Sequence, residues 1–302
     1  HTRFKCDWSS DVCSSDLIVA LGDKFIANSP ENGKAYMTNF FEKFKVAAHV
    51  GVYFYELSYE DALKMAKQQG RKLFIDCYTT WCGPCKYMSE TVFKQENVGD
   101  FLNQNFICLK YDMEKGEGPE LGKKFGVRAY PTFLILRPDG SVQHKVVGGG
   151  DLEGFIARVE KGLNEKTSLD YLNKLYEKGK MNKKQLMVYQ IALNDAYEQA
   201  KSEKVGEELN KILKDKDKMK TEFWPILEES PYGSDNFKLV VNNLATFNKN
   251  IGKEKVNTYL YGNYSQAIDN TTRRNAKEPA KTLEQIRQEL DRKSTRLNSS
   301  HT

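Results

Sequence analysis

No stretch of this sequence is apolar for long enough to cross a bilayer as a helix, which takes about 20 residues. The run at 17–21 is far too short. Histidine is scarce, four in 302 residues, and the chain holds a single C-x-x-C. A tetrahedral zinc site would lack its second pair of ligands, so no metal is expected. The 46 Lys/Arg and 41 Asp/Glu leave a net charge of +5, with the two signs interspersed. No basic stripe forms, which argues against a nucleic-acid partner. Of six cysteines, the four outside the chain ends do not make a disulfide scaffold. Gly148-Gly149-Gly150 lacks the spacing and the Lys-Ser/Thr ending of a phosphate-binding loop, and reads as a close backbone approach. No internal repeat of fixed period is legible in the helical C-terminal half.

The chain ends behave unlike protein. One back-translation of residues 291–301, reverse-complemented and read in a shifted frame, encodes residues 7–16 and is compatible with Leu17. No physical property of a folded chain produces that relation. Residues 1–17 and 291–302 are therefore expected to be translated sequencing adapter, with both natural termini lying outside the sequence, and they are set apart from fold reasoning. Cys6 and Cys13 go with them, leaving Cys77, Cys82, Cys85 and Cys108.

What is present centres on Thr79-Thr80-Trp81-Cys82-Gly83-Pro84-Cys85-Lys86, between the apolar run Leu73-Phe74-Ile75 and a segment of helical spacing at 87–93. Two thiols at a strand-to-helix junction have a physical use. Free N–H groups and the macrodipole at a helix N-terminus stabilise a thiolate on the first. The second lies nearly one turn on, close enough to attack a mixed disulfide made by the first. Such a C-x-x-C reads as a redox pair.

Trp81-Cys82-Gly83-Pro84-Cys85-Lys86 resembles the active-site motif of thioredoxins, with Asp76 where that family has a buried acid. Gly126-Val127-Arg128-Ala129-Tyr130-Pro131-Thr132-Phe133 resembles the family's cis-proline segment. The likeness covers roughly residues 52–163. It is nearest to extracytoplasmic bacterial members with a helical extension, and to the soluble reductase domain of the membrane disulfide-interchange proteins. The implied fold is an α/β thioredoxin fold, a central mixed sheet flanked by helices over 51–163, followed by an all-α region over 168–290. The segment 18–50 is unassigned apart from aromatic residues at helical spacing over 34–46.

In chain order, residues 51–55 read as a first strand, and Ser58 caps a helix over 59–69 that Gly70 stops. Residues 72–77 read as a strand covered on both faces, with Asp76 inside it. Burial should raise the Asp76 pKa and suit it to the proton-relay role that the resemblance implies; an acid simply hydrogen-bonded at a strand end is the alternative. Thioredoxins often carry a lysine where this chain has Cys108, and Lys110 lies on the same strand face. Cys77 and Cys108 read as inert buried thiols. A helix over 97–103, a strand over 106–112, a short helix over 119–125, strands over 132–136 and 141–147 and a helix over 152–163 follow, with a boundary at 164–167. Beyond it, Leu186 to Tyr197 reads as one long helix, and 211–220 as a solvated charge run.

The resemblance implies a thiol-disulfide oxidoreductase that reduces protein disulfides. Cys82 is the expected exposed nucleophile, Cys85 the resolving thiol and Asp76 the proton relay. Trp81, Gly83, Pro84, Tyr130 and Pro131 are the expected substrate-contacting residues, and a cis bond is implied at Tyr130-Pro131. No diffusible cofactor is implied, because the electrons reside in the thiols. Expected partners are disulfide-containing proteins and an upstream thiol electron donor, with no membrane span in the sequence at hand. The resemblance favours an extracytoplasmic setting over a cytoplasmic one. The alternative is a client-binding module of the cell envelope that forms or isomerises disulfides on a bound client.

Overall fold

The structure, a computed structural model, describes residues 49–272 and 284–288. The adapter-like ends, the aromatic segment 34–46 and part of the helix expected over 283–290 lie outside these residues. The chain divides into two compact units: residues up to Lys180 with Val188–Ser202, and Met181–Met187 with the residues from Glu203 onward.

The first unit is built on a four-stranded sheet. Helix α1 (Tyr59–Gln69) begins where the Ser58 hydroxyl accepts the Asp61 N–H, and it ends at Gly70 with φ 63°. Strand β1 (Lys72–Tyr78) is covered on both faces, which is why its sequence runs apolar without alternation. It pairs in parallel with β2 (Phe106–Asp112) and antiparallel with β3 (Thr132–Leu136), which pairs antiparallel with β4 (Val142–Val147). The spatial order is β2-β1-β3-β4. Helices α2 (Gly83–Tyr87), α3 (Glu96–Asn105), α4 (Gly118–Lys124) and α5 (Leu152–Leu163) complete the domain. This is the mixed sheet flanked by helices that the resemblance implies.

Alternate residues of the strands feed two apolar layers. Phe74, Phe106, Phe133 and Val146 meet Phe93 and Phe155 on one face. Leu73, Ile75, Ile107, Leu109 and Leu134 meet Ala62 and Ala66 of α1 on the other. Each large side chain so buried contributes about 1.5–3 kcal/mol against exposure.

Two local expectations are corrected. Residues 51–55 do not form a strand; only Phe54 bridges to Cys108. Their backbone groups are taken elsewhere: Val52 N–H by the Phe93 carbonyl at 2.7 Å, Tyr53 N–H by the Asn103 side chain at 2.9 Å. The segment 87–93 is not α-helical throughout, because Met88–Val92 is a π-turn closed by Phe93 N–H on the Met88 carbonyl at 2.8 Å. Such turns cluster near functional sites.

The boundary expected at 164–167 is not where packing divides the chain. Glu165–Thr167 is a single 3-10 turn, and Ser168 caps α6 (Leu169–Glu177) at once. The division falls inside α7 (Lys183–Asp195), which also ends before Tyr197. Tyr197 stands outside any helix with φ 60°, the sole described non-glycine residue at positive φ.

The start of α6 is held by His144 of β4. Its buried Nδ1 accepts the Leu169 N–H at 3.1 Å, which places the ring proton on Nε2. Nε2 makes no hydrogen bond among the described residues, and burial together with nearby Lys161 pushes the pKa down to about 4. A histidine depressed in the folded state stabilises fully above its unfolded value, near 6.5, and loses that contribution as pH falls towards 4. Acidification through this window should remove up to about 3 kcal/mol through His144. Urea unfolding at pH 7 and pH 4.5 checks this: His144→Asn should lose less stability than the wild type by that amount, and equal losses would count against it.

In the second unit, α8 (Gln199–Ile212) runs on from residue 203, followed by α9 (Asp215–Lys218), α10 (Trp224–Glu228), α11 (Asp235–Asn242), α12 (Leu244–Ile251) and α13 (Lys253–Thr272). Trp224, Phe237, Phe247 and Tyr259 form its aromatic core. The charge run at 211–220 is not simply solvated. Asp217 is buried there and pairs with Lys183 at 2.7 Å and Lys220 at 3.5 Å, which holds its carboxyl at about 2.

Candidate active site

Cys82 and Cys85 are joined by a disulfide at the start of α2. Cys82 takes the N-cap position, its Sγ accepting the Cys85 N–H at 3.1 Å, and Pro84 occupies the first turn, where a missing N–H costs nothing. In the reduced protein the same N–H would stabilise a Cys82 thiolate. The expectation of an exposed Cys82 is corrected: it is 4% exposed. Its sulfur is folded back onto the helix turn and bonded to its neighbour, so little of it reaches solvent in this oxidised state.

Trp81, by contrast, is 66% exposed. Its indole N–H donates to Glu114 at 2.9 Å, and its ring meets the edge of Tyr130 at 5.9 Å. The Tyr130-Pro131 bond is cis. The Pro131 carbonyl accepts the Gly148 N–H at 2.8 Å, and the Thr132 hydroxyl donates to the Ala129 carbonyl at 2.7 Å, so both sides of the proline are tied down. Gly149 lies against Pro84 and Met88, within van der Waals reach of both side chains. The glycine run thus brings the β4–α5 loop beside the C-x-x-C helix.

Asp76 lies in the middle of β1, 1% exposed, between Lys110 on β2 and Phe133 on β3 in register. Burial pushes its pKa up to about 7, against the opposing charge of Lys110. Lys110 Nζ stands 3.6 Å from Oδ2, and it also contacts the Ser89 hydroxyl and lies 4.6 Å from the centre of the Tyr78 ring. Oδ1 accepts no hydrogen bond among the described residues. A carboxyl half-ionised at neutral pH with a free oxygen can take up and release a proton there. The lysine that the resemblance places at residue 108 is supplied here from residue 110. Cys77 and Cys108 are fully buried, and burial pushes both thiols up, so neither ionises near neutral pH.

The chain matches the family model described as thioredoxin-like over residues 54–138. It is 36% identical over 81 residues to Thioredoxin-1 of Drosophila melanogaster, covering 24% of this chain and 71% of that protein. This chain belongs to the thioredoxin family.

The family relationship extends to longer proteins. The thiol:disulfide interchange protein DsbD of Pseudomonas fluorescens is 32% identical over 102 residues, which are 33% of this chain and 18% of that one. A solved structure of a candidate disulphide isomerase from Bacteroides thetaiotaomicron is 48% identical, covering 38% of this chain and 96% of that one, with a TM-score of 0.36.

Three residues of this thioredoxin-family site were not read from the sequence. Arg158 donates to the carbonyls of Val147, Gly148 and Gly149 at 3.1, 3.0 and 2.9 Å, fastening the loop beside the disulfide. Its signal was a charge three residues beyond Phe155, on the stripe of α5 that faces the core. Glu114 and Ser89, which hold Trp81 and Lys110, carry no signal of their own in the sequence. No group of metal-ligating side chains occurs among the described residues.

Proposed function

We propose that the protein is a thiol-disulfide oxidoreductase that reduces protein disulfides. The observation that carries this reading is the Cys82–Cys85 disulfide at a strand-to-helix junction, with Asp76 poised near neutral pH on the strand that leads into it.

In the reduced enzyme the Cys82 thiolate attacks one sulfur of a substrate disulfide. The substrate S–S bond breaks and its other sulfur leaves as a thiolate that takes a proton. Cys85, having given up its proton towards Asp76, attacks the Cys82 sulfur of the mixed disulfide. The second substrate thiol leaves, and the two electrons of the Cys82/Cys85 dithiol have passed to the substrate. Trp81, Gly83, Pro84, Tyr130 and Pro131 line the surface the substrate chain meets, and the backbone before Pro131 offers it a strand-like partner. No diffusible cofactor takes part. A thiol electron donor must return two electrons after each cycle. Kinship with an interchange protein supports an extracytoplasmic setting, and no described helix is long and apolar enough to cross a membrane.

The test is a redox equilibrium titration of Cys82/Cys85. A potential near the thioredoxin value, about −270 mV, is expected. A value of about −120 to −180 mV would refute reduction and favour formation or isomerisation of disulfides on a client held by the helical region.

A further inference from the structure

Within the first unit, the α7–α8 corner at 196–198 faces the strand ends beside Pro131. Between them lies a cavity of about 250 Å³, lined by Arg128, Ala129, Lys145, Val147, Tyr197 and Glu198 among others. Its floor is continuous with the disulfide site. Ala129 precedes the cis Tyr130-Pro131 bond, Val147 is the register partner of Thr132, and the next residue, Gly148, bonds to the Pro131 carbonyl. The residues on either side of Tyr130-Pro131, Ala129 and Thr132, line this cavity, so a substrate chain lying along that bond passes beside it.

The lining specifies what fits. Lys145 is held by Glu198 at 2.7 Å, and these two charges cancel. Arg128 is exposed and makes no ion pair or hydrogen bond among the described residues, so the described lining carries one uncompensated guanidinium. Guanidinium takes carboxylate bidentately. The volume is below that of ordinary small-molecule pockets, about 300–1,000 Å³, and suits one side chain. Tyr197 forms the outer wall. It is 63% exposed and held at φ 60°, a conformation that a bulky residue rarely adopts.

We propose that this cavity is a specificity subsite that takes an acidic side chain of the substrate polypeptide, flanking its disulfide cysteine. The proposal rests on the reductase reading above. In it the first helices of the extension act as one wall of the substrate groove, and Lys145–Glu198 sets how strongly the groove attracts a carboxylate.

The experiment uses the whole chain, pre-reduced, mixed in single turnover with disulfide-linked peptide homodimers. Each peptide carries one Glu or Gln, moved stepwise along either side of the cysteine. Oxidised 2-mercaptoethanol, which has no chain to enter the cavity, supplies the reference rate for each variant. One position should show a preference for Glu over Gln of about tenfold. Arg128→Gln should abolish the preference. Glu198→Gln should raise it severalfold, by freeing Lys145 and removing a competing carboxylate. The proposal requires both shifts; a missing shift, or no preference at any position, overturns it while leaving the reductase reading intact. Failure to reduce even the chainless disulfide would instead overturn the reductase reading.

Discussion

Cys85→Ser is expected to lower turnover on a protein disulfide by at least about a thousandfold while leaving the first attack in place. Cys82 keeps the N-cap position and the residue-85 N–H that donates to its sulfur, since that donor belongs to the backbone. The mixed disulfide therefore forms and accumulates, because serine cannot attack it. Non-reducing electrophoresis should show a covalent complex that dithiothreitol dissolves. Cys82→Ser should give no such complex, because Cys85 lies inside the first turn and lacks the N-cap position that stabilises a thiolate on Cys82. Equal trapping by both variants would reverse the assignment of nucleophile and resolving thiol.

The Asp76→Asn variant should show opposite effects on stability and rate. An acid whose pKa rises from 3.8 to about 7 on folding favours the native state least when it must ionise there. Its contribution is therefore most favourable below pH 4, falls as pH rises, and levels off above 7. The loss across that window is up to about 4 kcal/mol, and the asparagine variant should escape it. Unfolding curves at pH 5 and pH 8 measure the difference. Resolution of the mixed disulfide at pH 7 should slow by about a hundredfold, and the rise of rate with pH through about 7 should vanish. Lys110→Gln gives the companion result. Without the ammonium 3.6 Å away, ionisation of Asp76 is harder, so the rise moves to higher pH. A rate profile unchanged in both variants would remove Asp76 from proton transfer.

Much of the first unit was legible because its ends are set by local chemistry. Ser58 and Gly70 bracket α1, Asp151 caps α5, and Pro138-Asp139-Gly140 turns the chain between β3 and β4. Strands β2 and β3 run between the residues expected of them, since each is a short apolar run closed by polar or turn residues. The misses depend on distant partners. Residues 51–55 have strand-like composition, yet whether they pair is decided by Phe93, Asn103 and Cys108. The π-turn at Met88–Val92 is invisible to a count of apolar spacing, because a single five-residue turn is too short to show a changed period. At the site, the motif residues were apparent, and Lys110 followed from the period of two. Cys82 was expected to be exposed because a nucleophile must be reached, whereas the oxidised sulfur is covered by the turn that carries it. The spacing of Tyr197 suits a helix, and the chain leaves the helix two residues earlier.

The segment at 49–55 has a consequence for how the domain assembles. Its backbone bonds go to Phe93, Asn103 and Cys108, and Gly51 sits so close to Gly99 that a Cβ at 99 would strike its carbonyl. These backbone partners are all distant in sequence, and closing such loops costs entropy before any contact is made. It docks onto a surface that exists only after α3 and β2 have come together. The stretch 49–55 is therefore expected to join late, and its amides should exchange with solvent before those of β1 at the centre of the domain.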